Sequence, residues 1–182
     1  MLDAKLNVTE VVLRQFSGAA ASFFGNARVP ASIIVGSSLG ALFVFGSADT
    51  KKRTPTERFV TRIYQLFSWF AFVLSLNTVI TCTVGTTSAM YAGFDPMAET
   101  GYSLLKREFE YVFVSTRWSL CILLLLFVII VTLQLLLSFD LLKDPSRRNT
   151  ARFVLLSASA LTAQILLLMS IVNCIATETW AK

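Results

Sequence analysis

The side chains that could carry out chemistry are few, and their types are unfavourable for catalysis or metal binding. The sequence of 182 residues contains no histidine, which removes the commonest metal ligand and the commonest general base. Its three cysteines, Cys82, Cys121 and Cys174, lie in three separate apolar stretches. We therefore predict neither a disulfide framework nor a metal site, and we interpret the cysteines as small packing residues. No phosphate-binding or nucleophile motif is present, so we expect the chain not to be an enzyme.

Among the amides inside the apolar stretches, we consider Asn77, Gln134 and Gln164 as possible contacts between helices. Asn77 and Gln164 lie near the middle of their stretches, whereas Gln134 lies close to one end. An amide without a hydrogen-bond partner in hydrocarbon is costly, so we expect each to have one. Asn77 and Gln164 lie at similar depths and are predicted to be able to meet, as hydrogen bonds that hold helices together. The alternative is that these amides line a substrate path.

One charged pair lies at the start of the third apolar stretch. Arg117 directly precedes Trp118, and Glu110 lies seven residues earlier, on the same side of a helix. We interpret Arg117 as an interfacial arginine whose charge reaches the headgroup region. The alternative is that this charge forms a gate or binds a headgroup.

The elements that must position these residues are four long stretches without any charge. The chain is 55% hydrophobic and 15% charged, with a mean hydropathy of +0.68. A helix needs about 20 apolar residues to cross a bilayer, and each stretch is long enough. We predict an all-α integral membrane protein in one domain over residues 1–182. Its four transmembrane helices are predicted at approximately 30–48, 63–90, 118–139 and 153–176. A soluble all-α protein with buried helices is the alternative.

Small residues at helical spacing predict how these helices pack. In lipid, helices associate through close fit and polar bonds, and small side chains let their backbones approach. In the first stretch Ser32, Gly36 and Gly40 recur every four residues. The second stretch carries a longer heptad series that we call the small-residue seam: Ser68, Ala71, Ser75, Thr78, Cys82, Gly85 and Ala89. We predict both as helix-packing surfaces.

Two further segments are predicted as amphipathic helices at the membrane interface. Residues 3–24 place apolar side chains at spacings of three and four, with most charges elsewhere. Residues 96–112 do the same, and we expect this second helix to lie along the surface before the third span begins.

Three proline-headed signals predict helix starts. Thr54, Pro55 and Glu57 match a capping box with proline at the first helical position. Asp95-Pro96 and Asp144-Pro145 are expected to act in the same way before the third and fourth spans.

The distribution of basic residues predicts an orientation. Residues 49–62 and 140–152 together contain nine of the sixteen Lys and Arg residues. The positive-inside rule places these two loops on the cytosolic, stromal or matrix side, with both termini opposite. The basic surface is too small for a nucleic-acid role, so the expected partners are membrane lipids and other membrane protein subunits.

Three functions are compatible with these features. The first is a non-catalytic integral membrane subunit that packs within, or stabilises, a larger membrane protein complex. The second is a small channel or transporter component, which would need a polar stripe facing a pore; the Thr and Ser residues of 77–88 could supply one. The third is a pigment- or lipid-binding accessory subunit of a photosynthetic or respiratory complex. No cofactor is indicated, and chlorophyll or carotenoid binding cannot be derived from the sequence, since chlorophyll would need an axial ligand other than histidine. We favour the first.

Overall fold

The computed structural model shows an almost entirely helical chain. It describes residues 14–44, 54–91, 93–139, 141 and 145–178, without the side chains of residues 44, 145 and 172–178. The described elements are β1 (Arg14–Gln15), α1 (Ser17–Val44), α2 (Pro55–Tyr91), β2 (Met97–Ala98), α3 (Gly101–Ser138), a 3-10 turn (Pro145–Arg147) and α4 (Arg148–Glu178). The all-α fold is confirmed. Three of the helices, α2, α3 and α4, are long and apolar enough to cross a membrane, and α1 is shorter.

Helix α1 differs from the prediction at its start. It begins at Ser17 and continues through Pro30 to Val44, so the two segments predicted as separate helices, 3–24 and 30–48, are joined in one helix as far as the structure describes them. Of the predicted interfacial helix over 3–24, residues 3–13 lie outside the described part. Arg14–Gln15 form a strand, and the remainder is the first part of α1. The helix continues because one apolar stripe runs along its whole length, and this outweighs the backbone hydrogen bond that Pro30 removes. The predicted end of the first span, residues 45–48, is outside the description.

Helix α2 starts as the sequence predicts. The backbone N–H of Thr54 donates to Oε2 of Glu57 at 2.8 Å, and the N–H of Glu57 donates to Oγ1 of Thr54 at 3.3 Å. This reciprocal capping box satisfies two of the amides that the first turn leaves without partners. Pro55 is the first helical residue, as predicted.

The start of α3 corrects the predicted surface helix over 96–112. Met97–Ala98 pair antiparallel with Arg14–Gln15, and α3 then begins at Gly101. Its cap is Thr100, which forms a capping box with Ser103, rather than Asp95. Asp95 instead accepts a hydrogen bond from the N–H of Met97 at 3.0 Å, which closes a local turn.

Helix α3 therefore consists of two segments that meet at a kink, the first within the predicted surface helix and the second containing nearly all of the predicted third span. The backbone of Phe109 has φ −127° and ψ 24°, which is not helical and marks a kink after the first two turns. Beyond the kink the same helix continues to Ser138. The third and fourth predicted spans lie within α3 and α4, and Asp144, the predicted cap of α4, is outside the described residues.

The helices pack in order along the chain. Helix α1 runs antiparallel to α2, α3 packs beside both, and α4 packs against α3. One core cluster joins Phe24 and Cys82 to the first turns of α3, and a second joins Ala41, Tyr64 and Leu137 near the opposite end. The packed interior is therefore formed mainly by α1, α2 and α3.

Candidate functional site

The small-residue seam of α2 lies entirely inside the protein. All seven of its members, from Ser68 to Ala89, are buried. The hydroxyls of Ser68 and Thr78 donate to the carbonyls of Tyr64 and Leu74, four residues earlier in the same helix. Ser75 donates to the carbonyl of Phe72. Because the donors are satisfied within their own helix, the seam offers its neighbours a surface for close van der Waals packing.

Helix α1 meets this seam with a second heptad series that sequence reasoning missed. Its members are all buried and follow spacings of four and three; we call them the inner seam of α1: Ala20, Phe24, Ala27, Ala31, Ile34, Ser38 and Ala41. Two heptad series facing each other produce the interdigitated packing of a coiled coil. The signal was present in the sequence, but it crosses the boundary expected near residue 30 and was divided by it.

The predicted packing surface of α1 lies on the opposite side of the helix. Ser32, Gly36 and Gly40 are all exposed, and we call them the outer small face of α1. No described atom outside the helix lies within 4 Å of a Cβ built at Gly36 or Gly40. Within this chain the outer small face therefore packs against nothing that the structure describes, and alanines take the inner position instead.

The largest member of the inner seam faces the only glycine of the α2 seam. A Cβ added at Gly85 would lie 2.9 Å from Cδ2 and from Cγ of the Phe24 ring. Phe24 is fully buried. The absence of a side chain at residue 85 therefore creates the space that the ring occupies.

An aromatic cluster surrounds Phe24 at this end of the bundle. Its ring makes an edge contact with Phe109 at 5.9 Å between centroids, and Phe94 contacts Phe109 at 5.2 Å. Phe113 contacts Phe23 at 5.2 Å and Tyr102 at 5.5 Å. Such pairs each contribute about 0.5–1.5 kcal/mol beyond area burial. The cluster joins α1, the β2 segment and the start of α3 into one unit.

The three amides are not brought together. Asn77 on α2 and Gln164 on α4 are both exposed, and Gln134 on α3 is partly buried. No hydrogen bond joins the side chains of Asn77 and Gln164, which contradicts the predicted meeting of the two. Helix α4 packs on α3 through one stripe of partly buried residues, and Gln164 lies off that stripe. Counting residues along a helix predicts the depth of each amide but not the direction in which it points.

Arg117 lies at a small crevice between α3 and α4. Its guanidinium carbon is 5.4 Å from the centroid of the Phe113 ring, in cation–π contact. A cavity of about 50 Å³ beside it is lined by Val114, Arg117, Trp118 and Met169. Glu110, two helical turns earlier, is exposed.

The described cysteines are single thiols in the helix interfaces. Cys82 is fully buried, and its Sγ lies 3.8 Å from Oγ1 of Thr116, which links α2 to α3. Cys121 is partly buried on α3, and the side chain of Cys174 is outside the description. Within the described ranges no three His, Cys, Asp or Glu side chains come together in a group that could hold a metal ion.

Comparison with protein-family models, with curated proteins and with solved structures finds no match to this chain.

Proposed function

We propose that this chain is a membrane-embedded, non-catalytic subunit whose outer helix surfaces pack against another membrane protein. The observation that carries the proposal is the outward position of Asn77 and Gln164 on two long apolar helices.

Arg62 and Arg117 lie at two levels whose separation along the helices matches the thickness of a bilayer's hydrocarbon core. Beyond Arg62, α2 is uncharged as far as Tyr91, and beyond Arg117, α3 is uncharged as far as Phe139. Cys82 contacts Thr116, next to Arg117, so the 20 residues of α2 from Arg62 to Cys82 lie between the levels of the two arginines. At 1.5 Å per residue these segments span about 30–33 Å, the thickness of a hydrocarbon core. Phe24 of α1 packs on Gly85 of the antiparallel α2, so Arg28, one turn later, lies near the level of Cys82, whose neighbour Thr116 precedes Arg117. All four helices are then transmembrane in the proposed arrangement.

The aromatic cluster lies outside this hydrocarbon layer in the proposed arrangement. The end of α2 and the part of α3 before the Phe109 kink continue beyond the level of Arg117. Together with β1 and β2 they would form a small head at that face of the membrane.

Two exposed amides within the layer favour a protein neighbour. Asn77 lies about 22 Å from the level of Arg62, and Gln164 about 18 Å from the level of Arg152. We find no hydrogen bond from either side chain to another described residue. An unpaired amide in lipid is unfavourable, whereas an amide that bonds across helices stabilises their association by about 0.6–2 kcal/mol. A neighbouring polypeptide would supply that partner.

The outer small face of α1 also favours a protein neighbour, in addition to the amides on α2 and α4. Ser32, Gly36 and Gly40 offer a surface on which a second backbone can approach closely. The buried seams of α1 and α2 use the same chemistry inside the chain. We infer that the outer face receives a helix of the partner.

The channel alternative has less support. The hydroxyls of Thr81, Thr83 and Thr87 donate to the carbonyls of Asn77, Val79 and Thr83 in their own helix. Donors that are occupied in this way are less suited to a polar pathway. The pigment-binding alternative stays a prediction, as does the orientation with residues 49–62 and 140–152 on the cytosolic, stromal or matrix side.

The proposal is tested by native electrophoresis of the tagged chain extracted from its own membrane in mild detergent. We expect it to migrate with a complex much larger than its 20.1 kDa. Replacement of Asn77 or Gln164 by Leu should weaken that association about 3- to 30-fold each. The exposed apolar change Leu76→Val is the matched control. Migration as a single chain, unchanged in all variants, would contradict the proposal.

A further inference from the structure

Helix α4 leaves most of its surface uncovered by the rest of the chain. None of its described side chains, from Arg148 to Ile171, is buried. It contacts α3 through one stripe of partly buried residues: Ala151, Val154, Ala158, Thr162, Ile165 and Met169. The face that carries Gln164 is therefore open to a neighbour.

Helices α2 and α4 contact α3 at one level but from opposite sides. Cys82 of α2 contacts Thr116 of α3. Met169 of α4 lines the crevice with Val114 and Trp118, which lie two residues before and two residues after Thr116. Because a helix turns by about 100° per residue, positions two residues away point about 160° from Thr116. Helix α3 thus lies between α2 and α4 at this level.

The two exposed amides have equivalent positions relative to these contacts. Asn77 comes five residues before Cys82, and Gln164 comes five residues before Met169. Both helices are antiparallel to α3, so they run in the same direction. Each amide therefore lies about 7.5 Å from the contact level and is turned by about 140° from the direction of α3. Since α2 and α4 lie on opposite sides of α3, equal rotations bring the amides to opposite sides of the chain.

A second copy of the chain would satisfy both amides at once. Copies that insert in the same direction lie at the same depth in a bilayer. Groups at one level on opposite sides of a chain can then meet head to tail, without moving one copy along the membrane normal. A partner of a different sequence would not require Asn77 and Gln164 to share a level.

The side chains beside the amides fit the same contact. On α2, Phe70 and Val73 lie seven and four residues before the amide and are 53% and 48% exposed. On α4, Ser157 and Ala160 lie at the same two distances before the amide and are exposed. In parallel helices with the amides at one level, the large side chains of one copy lie level with small residues of the next. Small residues there let the two helices approach closely.

We propose that copies of this chain associate head to tail in the membrane plane, with α2 of one copy against α4 of the next. Across this contact the side chains of Asn77 and Gln164 hydrogen-bond to each other. The inference rests on the bilayer arrangement of the proposed function and identifies the partner at these two faces as a second copy.

The test uses disulfide crosslinking between two differently tagged full-length copies without native cysteines, co-expressed in the membrane of a foreign host. One copy carries Val73→Cys and the other carries Ala160→Cys. On oxidation with copper phenanthroline we expect a disulfide-linked pair that contains both tags. The matched control is Ser159→Cys, an exposed position about 100° around the helix from residue 160. It should give at least about tenfold less of the mixed pair, because a disulfide needs Cα atoms within about 7 Å.

A second measurement tests the hydrogen bond between the amides. The crosslinked fraction is followed as added lipid dilutes the protein in the membrane. Asn77→Leu in the Val73→Cys copy should weaken the association about 3- to 30-fold. Leu76→Val in the same copy should leave the association unchanged.

Four results would overturn the proposal. They are the absence of a mixed-tag pair, equal crosslinking through residues 159 and 160, an association that Asn77→Leu leaves unchanged, and a predominant product between two Val73→Cys copies. The last would indicate a symmetric pair of α2 faces. The foreign host holds none of the native subunits, so the two proposals can fail separately. A large native complex without mixed-tag crosslinks would reject self-association and retain the subunit proposal. Mixed-tag crosslinks from a chain that co-purifies from its own membrane only with itself would retain self-association and reject assembly with other subunits.

Discussion

The ring of Phe24 lies against the α-carbon of Gly85, so close that a Cβ at residue 85 would be 2.9 Å from two ring atoms. Phe24 is the only aromatic residue in the inner seam of α1, and Gly85 is the only glycine in the seam of α2. A large residue thus faces the smallest one at the point where α1 and α2 approach the aromatic cluster. This contact fixes the register of the antiparallel pair, since a shift of either helix would bring the ring against a side chain.

Gly85→Ala is expected to destabilise the protein by about 1–2 kcal/mol. The added methyl group overpacks a buried contact at a cost of about 1–3 kcal/mol, and the better helix propensity of alanine returns up to about 1 kcal/mol. The measurement is equilibrium unfolding of the purified chain in mixed detergent micelles. Phe24→Leu, combined with Gly85→Ala, should recover part of the loss, because it shortens the side chain that the methyl group meets.

Gly36→Ala is the matched control for this prediction. Gly36 also lies within a helix, but no described atom beyond its own helix lies within 4 Å of an added Cβ. Only the propensity gain remains, so we expect a stabilisation of up to about 1 kcal/mol. If Gly85→Ala and Gly36→Ala changed the free energy of unfolding in the same direction, the contact with Phe24 would not determine the effect at Gly85.

The parts of the fold that depend on local chemistry could be predicted from the sequence. The capping box of Thr54 and Glu57 is complete within four residues, and the seam from Ser68 to Ala89 is one uninterrupted heptad series. The start of α1 was missed because Arg28 and Pro30 resemble a boundary, although an arginine near an interface and a proline within a helix are both tolerated.

The parts that depend on neighbouring helices could not be predicted. Depth along a helix follows from counting residues, so the depth of Asn77 could be predicted from the sequence. The helix that Asn77 faces could not. The cap of α3 illustrates a related difficulty. Asp95 and Thr100 are both good capping residues, and the pairing of β2 with β1 decides between them by holding residues 97 and 98 in an extended conformation.

Ala31→Leu should distinguish the two sides of α1. Ala31 has no exposed surface, and a leucine there adds three carbons to a close helix contact. We expect a loss of at least about 1–3 kcal/mol in the same unfolding measurement. Ser32→Leu, one residue later on the outer small face, should leave the stability of the isolated chain within about 0.5 kcal/mol. If the two variants were equally stable, the assignment of inner and outer sides would be wrong.

Thr100→Ala is expected to destabilise the start of α3. Its Oγ1 accepts a hydrogen bond from the N–H of Ser103 at 3.1 Å, and the hydroxyl of Ser103 accepts from the N–H of Thr100 at 3.2 Å. Loss of such a cap costs about 0.5–2 kcal/mol. Amide hydrogen exchange in the first turns of α3 should increase, and Thr100→Ser, which keeps the oxygen, should exchange as the parent protein does. Equal exchange in both variants would rule out Thr100 as the cap.

Cysteine labelling tests the two levels marked by the arginines. In a chain whose native cysteines are replaced by alanine, single cysteines are introduced by Tyr111→Cys, Ile80→Cys and Arg148→Cys. All three positions are exposed on the protein surface, so differences in labelling report the surroundings rather than burial within the chain. Maleimides react with thiolates in water and very slowly in hydrocarbon.

Labelling of sealed vesicles with a membrane-impermeant maleimide should therefore give three different results. Tyr111→Cys, about 9 Å beyond the level of Arg117, should react from one side only. Arg148→Cys should react from the other side, which the positive-inside rule identifies as cytosolic, stromal or matrix. Ile80→Cys should stay unlabelled until detergent and denaturant expose it. Reaction of Ile80→Cys at the rate of Tyr111→Cys in intact vesicles would place α2 in water, and the bilayer arrangement would have to be abandoned.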